Sequence, residues 1–225
     1  MFHVSGQVRA PTHTAGEPFF SAALGWQFAV DGSDWRRATK IFADGQRIGG
    51  VSDLSSPLYP PGTPAHIAYY LAVDDIEART EAATTAGAQL VLAPFDAGDQ
   101  GRIATLIDPV GAAFSLWQTD PANRWSPSAS APQRMILACP HPEQARRFYR
   151  DVLGTVPRCA DFVRMHGPEK CAPHWELVVA VDDPDTMAAR ARGLGHEMPY
   201  GPDHAGDQRL TSPDGLTFRI RAATS

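Results

Sequence analysis

Residues 66–90 read HIAYYLAVDDIEARTEAATTAGAQL, and residues 174–198 read HWELVVAVDDPDTMAARARGLGHEM. Laid over one another, the two stretches follow one plan. Each opens on an apolar strand. Each then carries AVDD (72–75 and 180–183), an aspartate pair suited to cap a helix N-terminus. An Ala-rich helix follows and reaches Gly87 or Gly195, residues that can take the left-handed backbone closing a helix. Further on, AGDQ occurs at 97–100 and again at 205–208, and reads as a polar turn. A tight turn then precedes a closing strand in each copy: DPVG (108–111) before AAFSLWQ, and SPDG (212–215) before LTFRIR.

A second repeat lies upstream of each copy. GEPFFSAALGW (16–26) resembles ARRFYRDVLGT (145–155). In the latter, Ala145, Phe148, Tyr149, Val152 and Leu153 fall on one helical face. Pro142 suits the first turn of that helix and Gly154 its end. The chain therefore reads as four strand–helix–strand units in two pairs. Residues 1–118 form a first domain (units 1–58 and 62–118), and residues 133–225 form a second, shortened one. Between them TDPANRWSPSASAP (119–132) has the composition of a linker. The third unit, Gln133 to Pro173, is too short for a full set of strands.

Composition narrows the function. Apolar residues make up 43% and charged residues 20% of the 225, as in globular domains. A net charge of −5 without a basic stripe argues against a nucleic-acid partner. No apolar run approaches the ~18 residues of a membrane span. The start MFHVSGQVRA lacks the pattern of a secretory signal, so a cytoplasmic location is expected. Three cysteines without CxxC spacing oppose a zinc site or a disulfide framework. No phosphate-binding or dinucleotide fingerprint occurs, and no cofactor is expected.

LGWQF, YLAVDDIEA and GRIATLIDPVGAAFSLWQ together resemble the vicinal-oxygen-chelate superfamily of glyoxalases, extradiol dioxygenases and bleomycin-binding proteins. More narrowly, the whole chain looks like its two-domain members that accompany antibiotic pathways, anthracycline ones included. The resemblance implies an α+β fold of four βαβββ units in two pairs. Each pair makes an open cup of mixed sheet, with the helices outside and the ligand on the concave face.

The superfamily's metal enzymes draw their ligands from the first and closing strands of the units. Matched by spacing, those slots hold Ser5, Ala68 and Ser115 in the first pair, and Arg134, Glu176 and Arg219 in the second. A divalent ion needs converging imidazoles or carboxylates. Ala68 has no ligand atom, serine hydroxyls are poor ligands, and arginine stays cationic. Metal catalysis is therefore not expected. His3, His66 and His174 share a face with these slots two residues away, and read as strand-end residues near a rim.

Alternation sorts the remaining side chains. Ile67, Tyr69, Leu71 and Val73, with Phe114 and Leu116, belong to the core. His66, Ala68, Tyr70 and Ala72, with Ala113, Ser115 and Trp117, belong to the cup. Trp26, Trp35 and Phe42 are further candidates for its lining. Aromatic walls over a floor of small residues suit a flat, largely apolar ligand. In the second pair, Glu176 and Arg219 can join in a salt bridge; alternatively Arg134, Arg219 and Arg221 can hold an acidic group. Asp99 and Asp207 can titrate, but nothing sets them beside a substrate.

The leading expectation is a metal-free binding protein for a planar aromatic antibiotic or polyketide. It would sequester the compound for self-resistance or hold it for an oxidative enzyme of the same pathway. The alternative is a metal-independent cyclase, isomerase or oxygenase using His66 or Glu176 as acid or base. The empty ligand slots oppose a third reading, a metal-dependent glyoxalase or dioxygenase.

Overall fold

The computed structural model describes residues 6–8, 16–30, 32, 39–51, 67–98, 101–119, 132–165, 172–194, 207–212 and 216–223. They form four modules in chain order. Module one is β1 (Gly6–Val8), α1 (Gly16–Leu24), β2 (Gln27–Val30), β3 (Thr39–Ala43) and β4 (Gln46–Val51). Module two is β5 (Ile67–Ala72), α2 (Ile76–Thr85), β6 (Gln89–Asp96), β7 (Arg102–Ile107) and β8 (Ala113–Gln118). Module three is β9 (Pro132–Cys139), α3 (Pro142–Leu153) and β10 (Ala160–Arg164). Module four is β11 (His174–Val181), α4 (Pro184–Gly193), β12 (Gln208–Thr211) and β13 (Thr217–Ala222). The first two modules are complete βαβββ units, and the third shows two strands among the described residues.

One pairing rule recurs. The first strand of a module lies parallel to its last: β1 to β4, β5 to β8, and β11 to β13. Parallel neighbours need a long crossover, and the module's helix is part of it. The other strands follow as antiparallel neighbours, giving the orders β5–β8–β7–β6 and β11–β13–β12. The fold is thus α+β, with open mixed sheets.

Helix boundaries follow local chemistry. The Asp75 carboxylate accepts from the Ala78 amide at 3.0 Å, and that of Asp183 accepts from Asp185 and Thr186, each at 3.0 Å. These bonds satisfy donors that a helix start leaves open. Pro142 opens α3, and Gly154 closes it in the left-handed region at φ 77°.

The chain divides into two compact units, and each draws on both halves of the sequence. One holds 68–125 and 134–175 with residues 1–4; the other holds 5–67, 126–133 and 176–225. The first therefore combines module two with module three. Its core is aromatic. Tyr69, Leu71, Phe114 and Leu116 are fully buried, as alternation predicts. Phe114 and Tyr149 meet edge to face with centroids 5.3 Å apart, and Tyr149 meets Trp175 at 5.5 Å. Burying each such ring stabilises the fold by about 1.5–3 kcal/mol. Arg79 donates to the Val152 carbonyl at 3.1 Å, joining α2 to the end of α3.

The second unit combines module one with module four. Phe20 of α1 stacks on Trp26 at 5.5 Å and tilts against Phe218 of β13 at 5.3 Å. Phe19, Phe20, Ala23, Trp26 and Phe218 are all buried. Arg190 of α4 donates to the Ala22 carbonyl at 3.4 Å.

Candidate functional site

The face of β5–β8–β7–β6 opposite Tyr69 and Leu71 is built by register. Tyr70 pairs with Ser115, and Ala72 with Trp117. Across the next ladder Thr105 pairs with Ser115, and Ile103 with Trp117. Paired residues share a face, as do alternate residues of one strand. Tyr70, Ile103 and Trp117 form one buried cluster with Ala97, and Ala72 and Phe95 pack against it. Within this apolar surround the Thr105 and Ser115 hydroxyls lie 3.1 Å apart in a hydrogen bond that either can donate.

Backbone hydrogen bonds hold Ala97 in that cluster. The Ala97 amide donates to the Gly101 carbonyl at 2.7 Å, and the Asp96 carboxylate accepts from the Gly98 amide at 2.7 Å. Gly101 sits at φ 81°, where a Cβ would overlap the Gln118 carbonyl oxygen. Only glycine fits both demands.

Module four holds the same positions with other chemistry. Counted from AVDD, Glu176 stands where Ala68 does and Val178 where Tyr70 does. Counted from the closing turn, Arg219 replaces Ser115 and Arg221 replaces Trp117. Arg209 pairs in register with Arg219, as Thr105 does with Ser115. The fully buried Glu176 carboxylate accepts from Arg219 at 2.6 Å, and Arg209 lies 2.6 Å from its other oxygen. Arg221 grips Asp207 with two bonds, at 2.7 and 2.8 Å. The expected Glu176–Arg219 salt bridge is present, as part of a larger network. Asp207 is an ion-pair partner there rather than a part of the turn alone.

The metal ion that the fold family implies does not fit these slots. The Glu176 carboxylate is already held by two guanidinium groups, and a divalent cation beside them would be repelled. Ser115 offers one neutral hydroxyl shared with Thr105. Arg134 is bound by both oxygens of Asp161, at 2.8 and 2.5 Å. Among the described residues no group of three His, Cys, Asp or Glu side chains is placed to hold a metal.

One buried acid lies on the other side of the sheet. Asp108, first residue of the DPVG turn, accepts at one oxygen from the Val110 and Ala112 amides at 3.0 and 2.8 Å. Its other oxygen accepts from the Tyr149 hydroxyl at 2.8 Å. Burial pushes the carboxyl above its ordinary range, against the pull of those donors. The fully buried Tyr149 phenol is pushed well up, chiefly by the same loss of water.

The structure thus brings Tyr70, Ser115 and Trp117 together, and separately Glu176 and Arg219. Trp26 lies elsewhere, stacked on Phe20 in the core under α1. Phe42 stands on β3 between Gln27 and Arg47, half-buried. Ala68 belongs to β5, but its side chain is outside the described residues, as are Ser5, His3, His66, Trp35 and Asp99 entirely. His174 is at the exposed start of β11, with Nδ1 2.8 Å from the Ala172 carbonyl oxygen. Thr105, Arg209 and the Asp108–Tyr149 pair escape a reading of the sequence alone. A parity count along RIATLI, anchored on the DPVG turn, was the signal for Thr105.

Residues 7–117 match the family model described as a glyoxalase-like domain. Over that span the chain resembles a glyoxalase-like domain. Solved structures similar to the whole chain agree on its fold. The Mn(II)-bound glyoxalase of Novosphingobium aromaticivorans aligns with a TM-score of 0.63 at 18% identity, over 97% of this chain and 80% of that one. The 2,3-dioxygenase LapB of Pseudomonas sp. KL28 aligns with a TM-score of 0.66 at 15% identity, over 99% and 92%. The four modules therefore have the vicinal-oxygen-chelate fold. Two proteins resemble the full sequence more closely. CFP32 of Mycobacterium bovis, provisionally named a glyoxylase, is 27% identical over 92% of this chain and 89% of its own. The anthracycline biosynthesis protein DnrV of Streptomyces peucetius is 27% identical over 94% and 89%.

Proposed function

We propose that this protein is a metal-free binding protein for a planar aromatic small molecule, an antibiotic or polyketide, and that it sequesters the compound or holds it for a biosynthetic enzyme. The observation that carries the reading is the apolar face of module two, where Tyr70, Trp117 and Ile103 surround a neutral hydroxyl pair at a ligand slot of the fold. Flat rings gain from stacking on Tyr and Trp, and a neutral floor does not oppose them. At ~0.3 kcal/mol per heavy atom, a ligand of roughly 30 atoms gains about 9 kcal/mol, enough for micromolar affinity. Likeness to a protein named for anthracycline biosynthesis supports a place beside a biosynthetic pathway.

The test is titration of chelator-treated protein with a panel of planar aromatic polyketides, read by tryptophan fluorescence, with each compound recovered and analysed. Saturable binding of unchanged compound, weakened about tenfold or more by Trp117→Phe, is the expected result. Altered compound would make the protein a metal-independent enzyme. Binding that reappears only on adding back a divalent metal would overturn the metal-free reading.

A further inference from the structure

We infer that the Thr105–Ser115 hydroxyl pair makes this face selective for planar aromatics that carry a ring oxygen acceptor, a quinone or ring ketone. The inference rests on the binding reading above and names the ligand chemistry of the same face. Its basis is a count of hydrogens. The two hydroxyls carry one hydrogen each, and the 3.1 Å bond between them uses one. Whichever hydroxyl donates, the hydrogen of the other has no acceptor among the described residues. Thr105 and Ser115 are 8% and 1% exposed, so bulk water does not readily meet it. A buried donor without a partner is tolerated less well than an under-used oxygen lone pair. The fitting ligand therefore brings an acceptor rather than a second donor.

The surroundings say what scaffold should carry the acceptor. Tyr70 stands directly across the ladder from Ser115, and Trp117 is two residues further along β8. Tyr70 and Trp117 are themselves 6% and 4% exposed, so a ligand reaches them only when this face opens; a ring then lying against either aromatic sets its edge over the hydroxyl pair, and a carbonyl on that edge can meet the remaining hydrogen. The equivalent positions of module four, Arg209 and Arg219, are spent on Glu176, so module four does not repeat the hydroxyl chemistry of module two.

A matched pair of probes isolates the oxygen: anthraquinone-2-sulfonate and anthracene-2-sulfonate share the tricycle and the sulfonate and differ in the ring carbonyls. Calorimetric titration should show the wild-type protein binding the quinone about tenfold tighter. The double variant Thr105→Val with Ser115→Ala should bring the two affinities within about twofold by weakening the quinone alone. Equal wild-type affinities, or a preference that survives in the folded double variant, would overturn the inference and leave the binding reading standing. Failure of both probes to bind the wild type would remove the binding reading and the inference with it. The wild-type comparison does not depend on any variant folding. Thr105→Ser, which keeps both hydroxyls, should retain the preference.

Discussion

Asp108 and Glu176 are buried carboxylates held in opposite ways, and substitution should separate them. Asp108 is held by amides and a phenol, all neutral donors, and burial raises its pKa above the ordinary 3.8. The native state therefore binds that proton more tightly than the unfolded chain does. The stability contributed by this group falls as pH rises from 3.8 through the raised native value, then levels off. Asp108→Asn removes the titration. Urea unfolding should show the variant gaining on the wild type as pH rises above 3.8. Tyr149→Phe instead leaves a buried oxygen without its donor and should cost about 1–3 kcal/mol at pH 7. Glu176 is held by cations. Glu176→Gln removes the negative charge that faces two guanidinium groups, of which Arg219 is only 12% exposed, and should destabilise the fold by about 3 kcal/mol in the same assay.

Two glycines separate backbone strain from steric exclusion at the level of the element. Gly25 follows α1 at φ 69° with nothing near a Cβ, so Gly25→Ala should cost only about 1 kcal/mol. Gly101 has a similar φ of 81°, but its Cβ would strike the strand-end carbonyl of Gln118. Gly101→Ala should therefore cost clearly more, and thermal melting of both variants gives the comparison. Much at this scale is legible in the sequence. The aspartate caps of α2 and α4, the proline–glycine bounds of α3 and the core faces of β5 and β8 depend on local chemistry and a period of two. Trp26 is not legible in that way. It belongs to the core because Phe20 stacks on it and Phe218 packs in turn against Phe20, and contacts between distant segments leave no local pattern. Thr105 is hidden for a different reason. The β6–β7 ladder shifts register between Leu90 and Leu92 and again between Leu92 and Phe95, so counting forward from the helix loses the parity. The Arg209–Glu176–Arg219 network needs the register of β12 on β13, which spacing alone does not reveal.

For the whole molecule, the proposed chemistry makes one demand on the solution behaviour. Extended treatment with chelator should leave both the melting temperature and the affinity for planar aromatics unchanged, since no step of the proposed binding passes through an ion. Parallel melting curves and titrations before and after treatment check this. The repeat is also plain in the sequence at this scale, but the grouping of modules into compact units is not, because modules so alike have nothing local to say which of them pack together. That grouping bears on the chain's ancestry. The two halves read as products of a tandem duplication, yet each compact unit takes one module from either half. A half-length ancestor could not have completed either unit by itself. To build the same units it had to pair with a second copy, each lending a module to the other. On this view the duplication turned an exchange between two molecules into one within a single molecule, and left the two descendant faces free to diverge, one towards hydroxyls and rings, the other towards a closed mesh of ions.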